Sequence, residues 1–90
     1  MKNKYFLENE IIRIKFLIEK LGEFLENVPN DNVNYEELQK EFLQNGYFGS
    51  MEVGNIIYYW GYTKLNILKK DLTKLKNKLN KLNLSLSKCY

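Results

Sequence analysis

Residues 65–86 read LNILKKDLTKLKNKLNKLNLSL, with a leucine at every third or fourth position. Most of the positions between these leucines are polar. This spacing keeps one apolar stripe on one side of an α-helix, as in the seam of a coiled coil. It predicts a long helix with a single apolar face. The seven leucines of this seam are Leu65, Leu68, Leu72, Leu75, Leu79, Leu82 and Leu86.

A second seam of the same length lies near the start of the chain. Its seven members are Leu7, Ile11, Ile14, Ile18, Leu21, Leu25 and Val28. Each seam covers about 33 Å of helix at ~1.5 Å per residue, so the two helices have matching lengths. We therefore predict an all-α bundle of three or four helices, in which the first and last helices form a long, coiled-coil-like antiparallel hairpin.

Turn and capping residues divide the chain between the two seams. Pro29 ends the first helix, because proline cannot donate a backbone hydrogen bond. Asn34 is suited to cap a second helix, and Glu37 stands at the capping-box position three residues later. Gly46 can close that helix in a left-handed conformation. Ser50 is the expected cap of a third helix.

These signals predict a single domain over residues 1–90, with helices over 4–28, 35–45, 51–60 and 63–86. The last two could form one continuous helix, but we favour a break near Gly61, because the residues before it are mediocre helix formers. A homodimer through the leucine seam is an alternative to the hairpin, since the sequence does not forbid it.

Charge is divided along the chain. Residues 1–60 carry six cationic and ten acidic residues, a formal charge of −4, whereas residues 61–90 carry eight lysines against Asp71, a formal charge of +7. Such a division indicates either internal pairing or an anionic partner. Antiparallel packing would place Glu8 and Glu10 near three lysines of the last helix, namely Lys76, Lys78 and Lys81.

The composition argues against an enzyme. The chain has no histidine and one cysteine, Cys89, which we expect to be an unreactive thiol. No spacing typical of a metal or phosphate site occurs, so we expect no metal and no cofactor. No apolar run approaches the ~18 residues of a membrane span, and we expect a cytoplasmic protein. The abundance of lysine, asparagine and isoleucine is typical of low-GC bacteria, their phages or plasmids.

An aromatic segment is the first candidate for a binding surface. Its members are Tyr47, Phe48, Tyr58, Tyr59, Trp60 and Tyr62. Consecutive helical residues point in different directions, so the rings of residues 58–60 cannot all face one core. We expect at least one to be exposed and to contact a larger protein, as in a small inhibitor or adaptor from a low-GC phage, plasmid or bacterium. The alternative is that most of these rings form the core.

The basic helix is the second candidate. Residues 51–72 resemble a helix-turn-helix, with 51–60 as the first helix, 61–63 as the turn and 64–72 as the recognition helix. In that motif a serine or threonine, here Thr63, caps the second helix. The resemblance implies nucleic-acid binding by the basic C-terminal helix. The residues expected to face the groove or its phosphates are Lys64, Asn66, Lys69, Lys70 and Lys74. The alternative is a merely solvated lysine-rich face.

Overall fold

In a computed structural model of the chain, the described residues are 4–88, and they form four α-helices and one short 3-10 turn without any β-strand. Helix α1 covers Lys4–Asn27, α2 covers Tyr35–Asn45, α3 covers Ser50–Tyr62 and α4 covers Leu65–Ser87, while the 3-10 turn covers Val28–Asn30. The predicted all-α helical bundle is confirmed. Cys89 lies outside the described residues.

The two apolar seams face each other. Helices α1 and α4 make the most extensive helix–helix contact among the described residues. Leu7 shares one apolar cluster with Leu82, whereas Leu21 shares another with Leu68. The start of α1 therefore lies beside the end of α4, which confirms the antiparallel hairpin. Since Leu68 and Leu82 are buried within one chain, a homodimer through the same seam would require α1 to move away.

Helix α2 runs antiparallel to α1. Phe42, in the second half of α2, packs edge-on against Phe16 of α1 with 5.0 Å between ring centroids. Tyr35, at the start of α2, instead lies 6.1 Å from Phe24, near the end of α1. An ion pair of 2.9 Å between Lys20 and Glu41 holds the two helices together on the outside.

Helix α3 runs in the same direction as α1. The ring of Phe48, just before α3 begins, lies 5.7 Å from Phe16. Trp60, near the end of α3, lies 5.6 Å from Phe24. The four helices therefore alternate in direction along the chain, as in an up-down-up-down bundle with two long and two short members.

The core has two parts of different composition. Where all four helices meet, an aromatic core contains Phe24, Phe42, Phe48 and Trp60 together with Leu21, Leu38, Val53 and Leu68. Farther along the hairpin, α1 and α4 alone enclose an aliphatic cluster of Leu7, Ile11, Ile14 and Leu82. Helices α2 and α3 therefore pack on one half of the hairpin, and the other half forms a two-helix arm.

The turns follow the predicted capping chemistry at two sites. The side-chain oxygen of Asn34 accepts a hydrogen bond from the backbone N–H of Glu37 at 3.0 Å, which satisfies a donor that the first turn of α2 would leave unpaired. Gly46 ends α2 with a φ of 84°. A left-handed residue at this position is what glycine provides at no steric cost.

The start and end of α3 differ from the prediction. Gly49 is the N-cap, so Ser50 is the first helical residue and its side chain does not cap the helix. The helix continues through Gly61 and ends at Tyr62. The break falls at Thr63, whose backbone is extended with φ −99° and ψ 143°. Threonine is β-branched and favours this backbone conformation. Helices α3 and α4 are thus separate, with the break two residues beyond Gly61.

The expected charge contacts between the two long helices do not form. Glu10 pairs with Arg13 of its own helix at 3.2 Å, and no lysine of α4 takes part in an ion pair anywhere in residues 4–88. The antiparallel direction therefore follows from apolar packing and the short connections, not from direct ion pairs across the hairpin.

Candidate protein-binding surface

Helix α3 is fixed against the rest of the bundle at both ends. Near its start, Glu52 forms an ion pair with Arg13 of α1, and the guanidinium of Arg13 lies 4.8 Å from the centre of the Phe48 ring. Near its end, Trp60 packs against Phe24 and Phe42, each at a centroid distance of 5.6 Å. The backbone of α3 is therefore a rigid support for its outward-facing side chains.

The structure divides the predicted aromatic surface into buried and exposed members. Phe48 and Trp60 are only 6% exposed and belong to the aromatic core, so they do not form part of the exposed aromatic surface that the sequence predicted. Tyr47, Tyr58, Tyr59 and Tyr62 are exposed. Of these, Tyr47 lies before the start of α3, and it does not line either of the grooves that flank the helix.

The tyrosine groove, as we call the depression between α2 and α3, has a volume of about 590 Å³. Its lining residues are Tyr35 and Gln39 of α2 and Gly54, Ile57, Tyr58, Gly61 and Tyr62 of α3. The rings of Tyr58 and Tyr62 stack on each other with centroids 4.6 Å apart, although the side chains are 68% and 80% exposed. A Cβ added at Gly61 would lie 3.6 Å from the Tyr35 ring, which is an ordinary van der Waals distance, so Gly61 lies directly beside that ring.

The lysine groove lies on the other flank of α3, between that helix and α4, and has a volume of about 460 Å³. Leu17 and Leu21 of α1, Ile56 and Trp60 of α3, and Lys74 and Lys78 of α4 are among its lining residues. At its edge the hydroxyl of Tyr59 donates a 2.7 Å hydrogen bond to the carboxylate of Asp71. This bond, reinforced by partial desolvation, raises the pKa of Tyr59 above its usual value.

The predicted nucleic-acid-binding residues are all exposed on or beside α4. Lys64, Asn66, Lys69, Lys70 and Lys74 project at several angles around the helix. The local geometry departs from the motif that residues 51–72 resemble. The N-cap of α4 is Lys64, not a threonine, and no side chain caps the helix. The expectation that Thr63 would cap it is therefore corrected.

Sequence reasoning missed two exposed residues, Tyr35 and Met51. Tyr35 lines the tyrosine groove although it is far from the aromatic segment in sequence, and its position depends on how α2 packs. Met51 is strongly exposed on α3. The sequence did contain one signal for the tyrosine groove. Gly54, Ile57 and Gly61 follow the helical spacing of three and four residues, so they lie on one face of α3.

No group of three or more cysteine, aspartate or glutamate side chains in residues 4–88 could hold a metal ion. Nor does any helix in that part of the chain have the length and apolar character needed to cross a membrane.

Comparison with known proteins gives no match to a family model, to a curated protein or to a solved structure. The two grooves beside α3, with the exposed residues that line them, are therefore the candidate binding sites.

Proposed function

We propose that this protein is a non-enzymatic binding module that holds a larger protein through the tyrosine groove. The observation that carries the proposal is the stacked pair of Tyr58 and Tyr62, which remain largely exposed on a rigidly packed helix. Tyrosine buries a large area at low entropic cost and keeps a polar hydroxyl, which is why it is common at the centres of protein interfaces.

The surroundings of this pair support the same function. Tyr35 extends the aromatic surface onto α2, and Gly54 leaves space on α3 because no other group approaches it. A partner side chain could therefore enter between the two helices. A chain of 90 residues without histidine acts most simply by occupying another protein's surface. The concrete form of the proposal is a stoichiometric inhibitor or adaptor from a low-GC phage, plasmid or bacterium.

The test is capture of a partner from a low-GC bacterial lysate, with and without nuclease. We expect the protein to retain a partner after nuclease treatment, and the double variant Tyr58→Ala, Tyr62→Ala to lose it. Each substitution at an interface centre costs about 2 kcal/mol or more, roughly 30-fold in affinity. Both side chains are exposed, so circular dichroism should show an unchanged fold.

Tyr5→Ala is the matched control, because Tyr5 is 75% exposed on the two-helix arm, away from the groove. This variant should capture the partner as well as the unmodified chain does. Equal capture by the double variant would contradict the proposal. Loss of all captured protein on nuclease treatment would show that the retained material is held through nucleic acid.

Nucleic-acid binding is the second candidate function, and one observation favours it. The lysines at positions 64, 69, 70 and 74 are exposed, and none of them forms an ion pair within residues 4–88. Binding to a DNA duplex should then weaken steeply with salt, and also with Lys69→Ala plus Lys70→Ala. Absence of binding at low salt would exclude this function.

A further inference from the structure

We propose that the lysine groove binds an acidic amphipathic α-helix from a partner protein. This proposal concerns the opposite flank of α3 from the tyrosine groove and does not depend on the function proposed above. It rests on the shape of the groove, on the apolar side chains at its base and on the charge of its α4 wall.

The size of the groove suits a short helical segment. Its α4 wall runs from Asp71 to Lys78, which corresponds to about 10 Å, or two helical turns. Leu17, Leu21 and Ile56 give it an apolar lining. Two turns of an amphipathic helix present apolar side chains at positions i, i+3 or i+4, and i+7, and this is the spacing that such grooves accept.

The charge of the groove selects an acidic occupant. Lys74 and Lys78 line its α4 wall one helical turn apart, and neither forms an ion pair within the described chain. The one carboxylate at the groove, Asp71, accepts the Tyr59 hydroxyl, and the polar residue of the α3 wall is the uncharged Asn55. The positive charges of Lys74 and Lys78 repel each other at this spacing. Glutamates on a bound helix would reduce this repulsion and make the two surfaces complementary in charge.

Two other occupants fit these observations less well. A nucleic-acid backbone would meet the lysines but would leave the leucine and isoleucine side chains of the groove without an apolar partner. A second copy of this chain would need to offer an acidic helix with a free apolar face. Helix α2 is strongly acidic at its start, but its apolar residues Leu38 and Phe42 are buried in its own core.

Trp60 allows a direct test, because it is the chain's single tryptophan and lines the groove. The probe is a synthetic helical peptide with leucines on one face, glutamates beside them and no aromatic residue. Its matched control carries lysine in place of each glutamate. We expect the acidic peptide to change Trp60 fluorescence saturably, with an affinity that falls as salt rises, and the basic peptide to have no effect.

Two charge-reversed variants locate the binding. Lys74→Glu plus Lys78→Glu should weaken the acidic peptide about tenfold, since two favourable charge contacts become repulsive. Lys69→Glu plus Lys76→Glu makes the same change in net charge roughly 140–180° around α4 from the two groove lysines, and it should alter the affinity by less than about threefold. The Tyr58→Ala, Tyr62→Ala variant should bind the peptide normally, so the two proposals can fail separately.

Several outcomes would overturn the proposal. These are no response to the acidic peptide, an equal response to the basic peptide, or equal weakening by the two charge-reversed pairs. A change in Trp60 fluorescence on raising the concentration of the protein alone would assign the groove to a second copy. The same change on adding a DNA duplex would assign it to nucleic acid.

Discussion

Phe42 lies at the centre of the aromatic core, and replacing it with alanine tests whether that core holds α2 and α3 against the long hairpin. Its side chain is fully buried. Its ring packs against Phe16 at 5.0 Å, Phe48 at 5.2 Å and Trp60 at 5.6 Å. Phe42 therefore joins α1, the connection before α3, and α3 itself.

The magnitude follows from burial. Removing a buried phenylalanine ring costs about 3–5 kcal/mol, because the neighbouring side chains relax only partly into the cavity. A chain of 90 residues has a total free energy of unfolding of roughly 5–14 kcal/mol. Phe42→Ala should therefore remove between about a fifth of the free energy of unfolding and all of it.

Urea unfolding followed by far-ultraviolet circular dichroism measures this change. Leu43→Ala is the control, since Leu43 is the next residue of α2 and is 42% exposed. It should cost less than about 1 kcal/mol. The reasoning is refuted if Phe42→Ala costs under about 1 kcal/mol with an unchanged urea dependence, or if the two variants lose the same stability.

Two further predictions concern single positions. Gly22→Ala should raise the free energy of unfolding by about 0.5–1 kcal/mol, because a Cβ at this helical position meets nothing within 4 Å. Gly46→Ala should lower it by about 1 kcal/mol, because Gly46 has a φ of 84°. The two variants should therefore shift the thermal unfolding temperature in opposite directions, and a shift in the same direction would contradict this reasoning. The hydrogen bond to Asp71 raises the pKa of Tyr59, so this residue should titrate above the usual tyrosine pKa of about 10 when the tyrosinate absorbance of the protein is compared with that of Tyr59→Phe. Because the folded-state pKa is raised, the contribution of Tyr59 to stability is present below the unfolded pKa and is lost as pH rises through the folded pKa, and Asp71→Asn should bring the titration back toward the usual range.

The helical hairpin and two of its caps were predictable because their signals are local. The leucine steps of α4 identify its buried face before any partner is known. Asn34 and Gly46 act on the backbone within three residues of themselves, so their roles do not depend on tertiary packing. The break after α3 was less predictable, because Gly61 is compatible with a helix and Thr63, which is extended, gave no strong signal.

The rotation of α3 about its own axis was the harder problem. Which aromatic residues face the core depends on the packing of α3 against α1, and the aromatic segment offered several apolar faces. A partial signal existed, since Val53, Ile56 and Trp60 follow steps of three and four residues and all contribute to the aromatic core or pack against it. The spacing of these three residues predicts that Trp60 belongs to the core, whereas the number of aromatic residues in the segment does not.

Three consecutive residues of α3 therefore have three different roles. Trp60 points into the core, Tyr59 donates its hydrogen bond to Asp71 of α4, and Tyr58 points outward beside Tyr62. Steps of about 100° between side chains make this division unavoidable on a helix. As a result, a Trp60→Ala variant would lose about 3–5 kcal/mol of stability and could not separate lost binding from lost folding. Because Tyr58 is held in place by the packing of Trp60 but contributes little to it, substitution of Tyr58 tests binding while the fold is retained.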